Sequence, residues 1–260
     1  MLIDCHAHLD YGDLPDYRSE ITQKIKEGNP NAVIDTAFDV KSSFRCATLA
    51  DVDTNVFSAV GVHPEAADEW SDKTRDDIAA IADKAKNVAI GEIGLDYHYD
   101  NNPPKDVQKK AFVEQIELAY EKKLPVVAHI RDAHGDAVQL LKENKQKLYY
   151  GLLVHCYSGS KELMVEYNRL DAYYSYGGVI TFKNAKEKPA IVRNTPLDRI
   201  LLETDCPYMT PVPFRGQVNF PSYVSYVADK VSEILGKTRE EIENITTENA
   251  LRLFGKMRIV

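Results

Sequence analysis

The chain has 260 residues, enough to bury a large core without disulfides or a structural metal, and one α/β barrel of about 250 residues fits that length with little left over. Lysine plus arginine number 32 against 40 aspartate plus glutamate, a net charge of −8 that excludes a general attraction for nucleic acid or anionic lipid but not a local site. With 44% hydrophobic and 28% charged residues the composition is globular, and no apolar run nears the ~20 residues of a spanning helix, which excludes a membrane protein.

The first residues, Met1 to His6, contain no basic stretch leading into a long apolar one, so no signal peptide is expected and a reducing cytoplasm is the expected location. Cys5, Cys46, Cys156 and Cys206 are scattered without CxxC pairing and read as small buried hydrophobes. Eight short β-rich apolar runs are predicted as strands, over 2–6, 32–38, 56–62, 88–95, 125–130, 152–155, 173–180 and 200–204. Helical periodicity fills most of the intervals. Pro103-Pro104 opens a predicted helix over 105–123 with Phe112, Ile116, Ala119 and Tyr120 on one stripe, and Pro125 ends it. Another covers 223–235 through Val224, Val227, Val231 and Leu235, with Gly236 as its stop. Thr238 and Glu241 have capping-box spacing, opening a helix that runs toward Asn244. No linker or low-complexity tract divides the chain, so a single domain over 1–260 is expected, a (β/α)8 barrel of the TIM type.

A barrel of this kind places its functional groups at the C-terminal strand ends and the loops that follow. The first run ends in His6-Ala7-His8, whose imidazoles share one side of the strand, and a loop over 10–15 follows. The third ends in Gly61-Val62-His63-Pro64-Glu65, the fourth contains Gly91-Glu92-Ile93-Gly94-Leu95-Asp96, and the fifth ends in His129-Ile130-Arg131-Asp132. The sixth ends in His155-Cys156-Tyr157-Ser158-Gly159 and the eighth in Glu203-Thr204-Asp205. Five of the seven histidines thus follow an apolar strand core, while His98 and His134 fall outside and are expected in solvated or satisfied roles. Taken singly, each residue has a bland reading, His129 as a hydrogen-bonded core histidine and Glu92 as the buried partner of a base. A glutamate inside an apolar strand nevertheless requires positive charge nearby. His6, His8, Glu92, His129, His155 and Asp205 form a mixed nitrogen and carboxylate set suited to divalent metals such as zinc or manganese. Six donors exceed what one tetrahedral ion uses, which favours two ions, with Asp205 as metal ligand and general base for an attacking water. Hydrolysis is the reaction class implied.

These residues, together with Ile3-Asp4-Cys5-His6-Ala7-His8-Leu9-Asp10, Pro125 through Ala133, Cys206-Pro207-Tyr208, Thr247-Glu248-Asn249 and Leu253-Phe254, resemble the TatD family of metal-dependent hydrolases over essentially the whole chain. The resemblance implies phosphodiester hydrolysis, usually as a DNA exonuclease. It implies that His6 and His8 hold one ion, that Glu92 bridges two, and that His129 and His155 hold the second, with Asp205 ligating metal and activating water. By the same resemblance His63 is a phosphate contact or leaving-group donor and counts with Asp205 and Glu92 as catalytic. Glu203, and Arg215 and Asn219 of an RGxxN pattern, would be substrate contacts, although an ion pair anchoring the loop is an equal reading of Arg215. Tyr157, Cys206 and Phe220 depart from the family pattern without removing a ligand, and an aromatic at Phe220 can stack on a base. The expected cofactor is a pair of divalent ions (magnesium, manganese or zinc) and the expected partner is DNA, as single strands or strand ends, with no membrane and no obligate protein partner. The alternative is a hydrolase of small ester, amide or phosphoester substrates at the same site. A third reading, a barrel whose metal site is structural or vestigial, is disfavoured by the full ligand set.

Overall fold

A computed structural model describes residues 1–11 and 14–259; of the expected loop over 10–15, Gly12 and Asp13 lie outside the described residues. Eight parallel strands form one sheet in sequential order: β1 (Ile3–Ala7), β2 (Ala32–Thr36), β3 (Val56–Val60), β4 (Asn87–Asp96), β5 (Val126–Arg131), β6 (Leu152–Val154), β7 (Tyr173–Tyr176) and β8 (Ile200–Leu202). The ends of the sheet meet. Asp205 donates its N–H to the His6 carbonyl at 2.9 Å, His8 donates to the Cys206 carbonyl at 2.8 Å, and the Asp4 carboxylate accepts from both the backbone and the hydroxyl of Thr204. The expected (β/α)8 barrel is therefore present.

Several strands stop earlier than expected: β2 at Thr36, β3 at Val60 and β7 at Tyr176, after which Gly178–Thr181 turn into a 3-10 helix. Apolar composition runs on past the last residue that finds a ladder partner, so it overstates strand length. The helices outside the barrel are α1 (Arg18–Lys26), α2 (Val40–Val52), α3 (Asp72–Ala82), α4 (Lys105–Lys122), α5 (His134–Glu143), α6 (Lys161–Asn168), α7 (Lys188–Asn194), α8 (Val224–Leu235) and α9 (Arg239–Leu253). Helix α4 buries Phe112, Ile116 and Ala119, whereas Tyr120, the next residue round the helix, is rotated out to solvent, contrary to the expected stripe. Gly236 caps α8 at φ 63°, and the Thr238–Glu241 capping box opens α9, which continues past Asn244 to Leu253. No helix among the described residues is long and apolar enough to cross a membrane.

Helix α9 seals the lower end of the barrel. Leu253 and Phe254 join Ile3, Phe57, Val127, Leu153 and Leu201 in one buried apolar cluster. Asn249 donates to the carbonyls of Leu197 and Ile200, and Thr247 to that of Met1, which ties the helix to both β8 and the N-terminus.

Candidate metal centre

Side chains two apart on a strand share a face, so the strands that contribute Val127, Leu153 and Leu201 to the lower cluster present His129, His155 and Glu203 one layer higher. Two other residues arrive by irregularity. The β1–β2 register slips between Asp4 and Ala7, and the β4–β5 register between Ile90 and Ile93. Such bulges re-aim side chains: Cys5 belongs to the apolar cluster, yet His6 beside it enters the centre, and Glu92 lies within the second slip. At Gly94, φ is 148° and a Cβ would meet the His129 carbonyl oxygen at 2.0 Å, so only glycine allows β4 this close to β5. Asp132, Cys156 and Asp205, each just past a strand that feeds the centre, adopt left-handed φ of 53°, 41° and 56°. Non-glycine residues held in this region concentrate at functional sites.

The buried Glu92 carboxylate is the hub. Its Oε1 lies 2.6 Å from both His129 Nδ1 and His155 Nε2 and 3.7 Å from His63 Nε2, while Oε2 faces His6 Nε2 at 3.3 Å and His8 Nε2 at 3.6 Å. Asp205 Oδ1 closes the second side at 3.4 Å from His8 Nε2 and 3.8 Å from His6 Nε2. Further polar groups orient the rings from behind. The Thr36 carbonyl accepts from His8 Nδ1 at 2.8 Å, Asp96 Oδ2 stands 2.9 Å from His129 Nε2, and Glu203 Oε2 lies 3.7 Å from His155 Nδ1. For His8 and His129 these bonds fix which ring nitrogen turns inward toward the centre.

Burial pushes against charge on every member, but the centre's own fields override it for most. Burial would raise Glu92, yet His155, His6, His63 and His129 hold it well below the usual carboxylate range. Burial would likewise lower His8, but Asp205 and Glu92 lift it to about 9, and Glu92 lifts His129 and, more strongly, His155. His63 falls well below its ordinary value through burial and then the neighbouring His129. The carboxylates are thus held ionised against their burial, and most of the imidazoles beside them are biased toward carrying positive charge.

The donor set fits a divalent metal on its spacing. His6 Nε2 and His8 Nε2 are 3.3 Å apart, and so are His129 Nδ1 and His155 Nε2. Two imidazole nitrogens on a tetrahedral zinc, at roughly 2.0–2.1 Å from the ion, stand about 3.3 Å apart. His6, His8 and Asp205 form one compact donor group; His63 Nε2 lies close to Glu92 and His129 on the other side, but with the Glu65 N–H on its Nδ1 it carries the proton and is not counted as a donor to metal.

The remaining sequence expectations are redistributed. Glu203 is fully buried, accepts from Ser175 at 2.5 Å and stands behind His155 at 3.7 Å, in one cluster with His6 and His155, so it backs the imidazoles rather than facing solvent. Asn219 is also fully buried: its amide donates to the carbonyls of Thr204 and Tyr208, and its oxygen accepts from Phe220 N–H, which makes it a clamp on the β8 loop and not a substrate contact. Arg215 lies over the Phe182 ring at 3.7 Å and, among the described residues, forms no salt bridge; of its two equal readings, the anchoring ion pair is not the one the structure shows. Phe220 is half-buried between Tyr17 and Tyr223 and is not free to stack on a base. His98 pairs with Asp132, and His134 is satisfied by Tyr167 and Ser158, as expected for residues outside the set. Asp96 was missed, although its position at the end of β4 was the available signal.

A family model for TatD-related DNases matches residues 3–255. The chain belongs to this family. TatD-family relatives include the uncharacterised metal-dependent hydrolase YabD of Bacillus subtilis, 43% identical over 98% of this chain and 99% of that protein. They also include the 3′-5′ ssDNA/RNA exonuclease TatD of Cronobacter sakazakii, 32% identical over 92% of each. The crystal structure of the TatD homologue YjjV from Escherichia coli superposes with a TM-score of 0.91 at 29% identity, covering 98% of both chains.

Proposed function

We propose that this TatD-family hydrolase is a two-metal phosphodiesterase, built as one barrel domain over 1–260, that removes nucleotides from the ends of single-stranded DNA or RNA. The observation that carries the reading is the division of Glu92: one oxygen faces His129 and His155, the other His6 and His8, and each nitrogen pair has the spacing of ligands on one ion. His6 and His8 with Asp205 would hold one ion and His129 with His155 the second, with Glu92 shared. Ions of the magnesium, manganese or zinc class would supply Lewis acidity toward a phosphoryl oxygen and an acidified water.

The chain's own groups do the rest. Glu65 N–H donates to His63 Nδ1, which leaves the proton on Nε2, directed into the centre. Neutral His63 thus donates a hydrogen bond to a phosphoryl or leaving oxygen without adding charge. Asp205 lies beside the His6 and His8 imidazoles and would be the proton acceptor for the attacking water. Asp96, Glu203 and Thr36 keep the imidazoles aimed. Two dications contribute +4 where the scissile phosphate lands, which reconciles a polyanionic substrate with a chain of net charge −8. Binding is then local to a short stretch of strand and only weakly salt-dependent. Four free cysteines suit a reducing cytoplasm.

The test is hydrolysis of an end-labelled oligonucleotide with Mg²⁺ or Mn²⁺, with and without chelator. Stepwise shortening that chelator abolishes and metal restores is expected, and Asp205→Asn should remove it. Carboxyl ester turnover far above oligonucleotide turnover would overturn the reading.

A further inference from the structure

Two exposed tyrosines stand at the lip of the centre, and both are tied to candidate ligands by the same device. Tyr11 lies three residues beyond His8 and returns its N–H to the His8 carbonyl at 3.2 Å; Tyr208 lies three residues beyond Asp205 and returns its N–H to the Asp205 carbonyl at 2.9 Å. The Tyr208 carbonyl is gripped in addition by the Asn219 amide at 2.6 Å. The Tyr208 ring sits 6.3 Å from the His8 ring and 5.6 Å from the Tyr11 ring, the latter pair tilted by 45°. These rings are 44% and 51% exposed, whereas His6, Glu92 and His155 beneath them are buried.

We infer that Tyr208, flanked by Tyr11, is a stacking platform for the nucleobase adjoining the scissile phosphate, and therefore selects an unpaired, base-bearing strand end. The inference rests on the nucleic-acid reading above and adds its binding subsite. Aromatic faces accept any base, since every base has a π-face. A base inside a duplex is already stacked on both sides and paired, so only a frayed or single-stranded end can place its base on the ring. The backbone ties matter because a platform anchored to His8 and Asp205 keeps a fixed distance to the phosphate those residues would help to bind. Phe220, the other aromatic of this loop, is half-buried and packs edge-on against Tyr17 and Tyr223.

The test compares short single strands whose terminal residue carries either a base or an abasic tetrahydrofuran unit, on the metal-loaded wild type, Tyr208→Leu and Tyr208→Phe. Wild type and Tyr208→Phe should bind and cleave the base-bearing end about tenfold better, and Tyr208→Leu should treat both ends alike. Far-UV circular dichroism and metal content equal to wild type show that Tyr208→Leu is folded and loaded. Terminal 2-aminopurine provides a readout independent of hydrolysis: its emission should be quenched on wild type and restored on Tyr208→Leu. Retained discrimination in Tyr208→Leu, or no preference in wild type, overturns the platform while leaving nuclease function in place. Quenching without cleavage of any strand overturns the nuclease reading while keeping the platform. Absence of both binding and cleavage overturns the two together.

Discussion

At the lower end of the barrel Val127, Leu153 and Leu201 meet Leu253 and Phe254 in a dry cluster, while two residues further along the same strands stand His129, His155 and Glu203. The lower end contributes burial of apolar surface with nothing left unpaired, the ordinary source of stability. The upper end runs the other way. Among the described residues His6 Nδ1, His155 Nδ1 and Glu203 Oε1 are buried without a hydrogen-bond partner, and Glu92 and Asp205 are carboxylates held ionised in a buried setting. Such groups cost free energy in the folded chain unless a cation compensates. One sheet thus carries a stabilising half and a half tolerated for its chemistry, a division seen widely at functional sites.

The comparison is open to attack at four points. Glu92→Gln removes the shared carboxylate and should lower the hydrolysis rate on the order of a thousandfold or more, several kcal/mol of barrier, while the metal-free protein still folds. A clear fall in Tm with activity retained would show that Glu92 is structural. Phe254→Ala should do the reverse, losing about 3–5 kcal/mol in urea unfolding with the rate per folded molecule and the metal content unchanged.

Asp35, on β2 away from the imidazoles, sharpens the contrast between buried carboxylates. Burial raises it to about 6, although Leu9 N–H is bonded to it and Cys46 lies beside it. Because the folded pKa exceeds the unfolded one, the folded state keeps the proton longer. Its favourable contribution is present below about pH 4 and is lost as pH rises through about 6, on the order of 3 kcal/mol for a shift of about two units. Asp35→Asn should therefore show its advantage over wild type at pH 7 and not at pH 4; equal stabilities at both values would remove Asp35 as a source of strain. The smallest effect is expected at Asp96→Asn, which weakens the grip on His129 Nε2 and should cost about 10–100-fold in metal affinity or activity. Full activity with unaltered metal content would make the Asp96–His129 bond irrelevant to the centre.

What the sequence determined by itself is the architecture and the inventory of candidate ligands. Apolar runs alternating with amphipathic stretches specify a barrel, and polar residues following those runs mark its C-terminal face, because both patterns are local and periodic. Only the tertiary structure decided which of those residues face one another. Strict alternation from Cys5 would turn His6 away, and the slip in register beside it is not encoded in periodicity. Glu203 and Asn219 carry the chemistry expected of substrate contacts, yet burial sets one behind the His155 ring and makes the other a clamp inside the β8 loop. Tyr11 and Tyr208 lie at opposite ends of the chain, and they form a pair only because the bonds between Asp205 and His6 and between His8 and Cys206 close the sheet. Residue type and spacing set which groups are available, and closure and register, which depend on contacts far apart in sequence, set which of them meet.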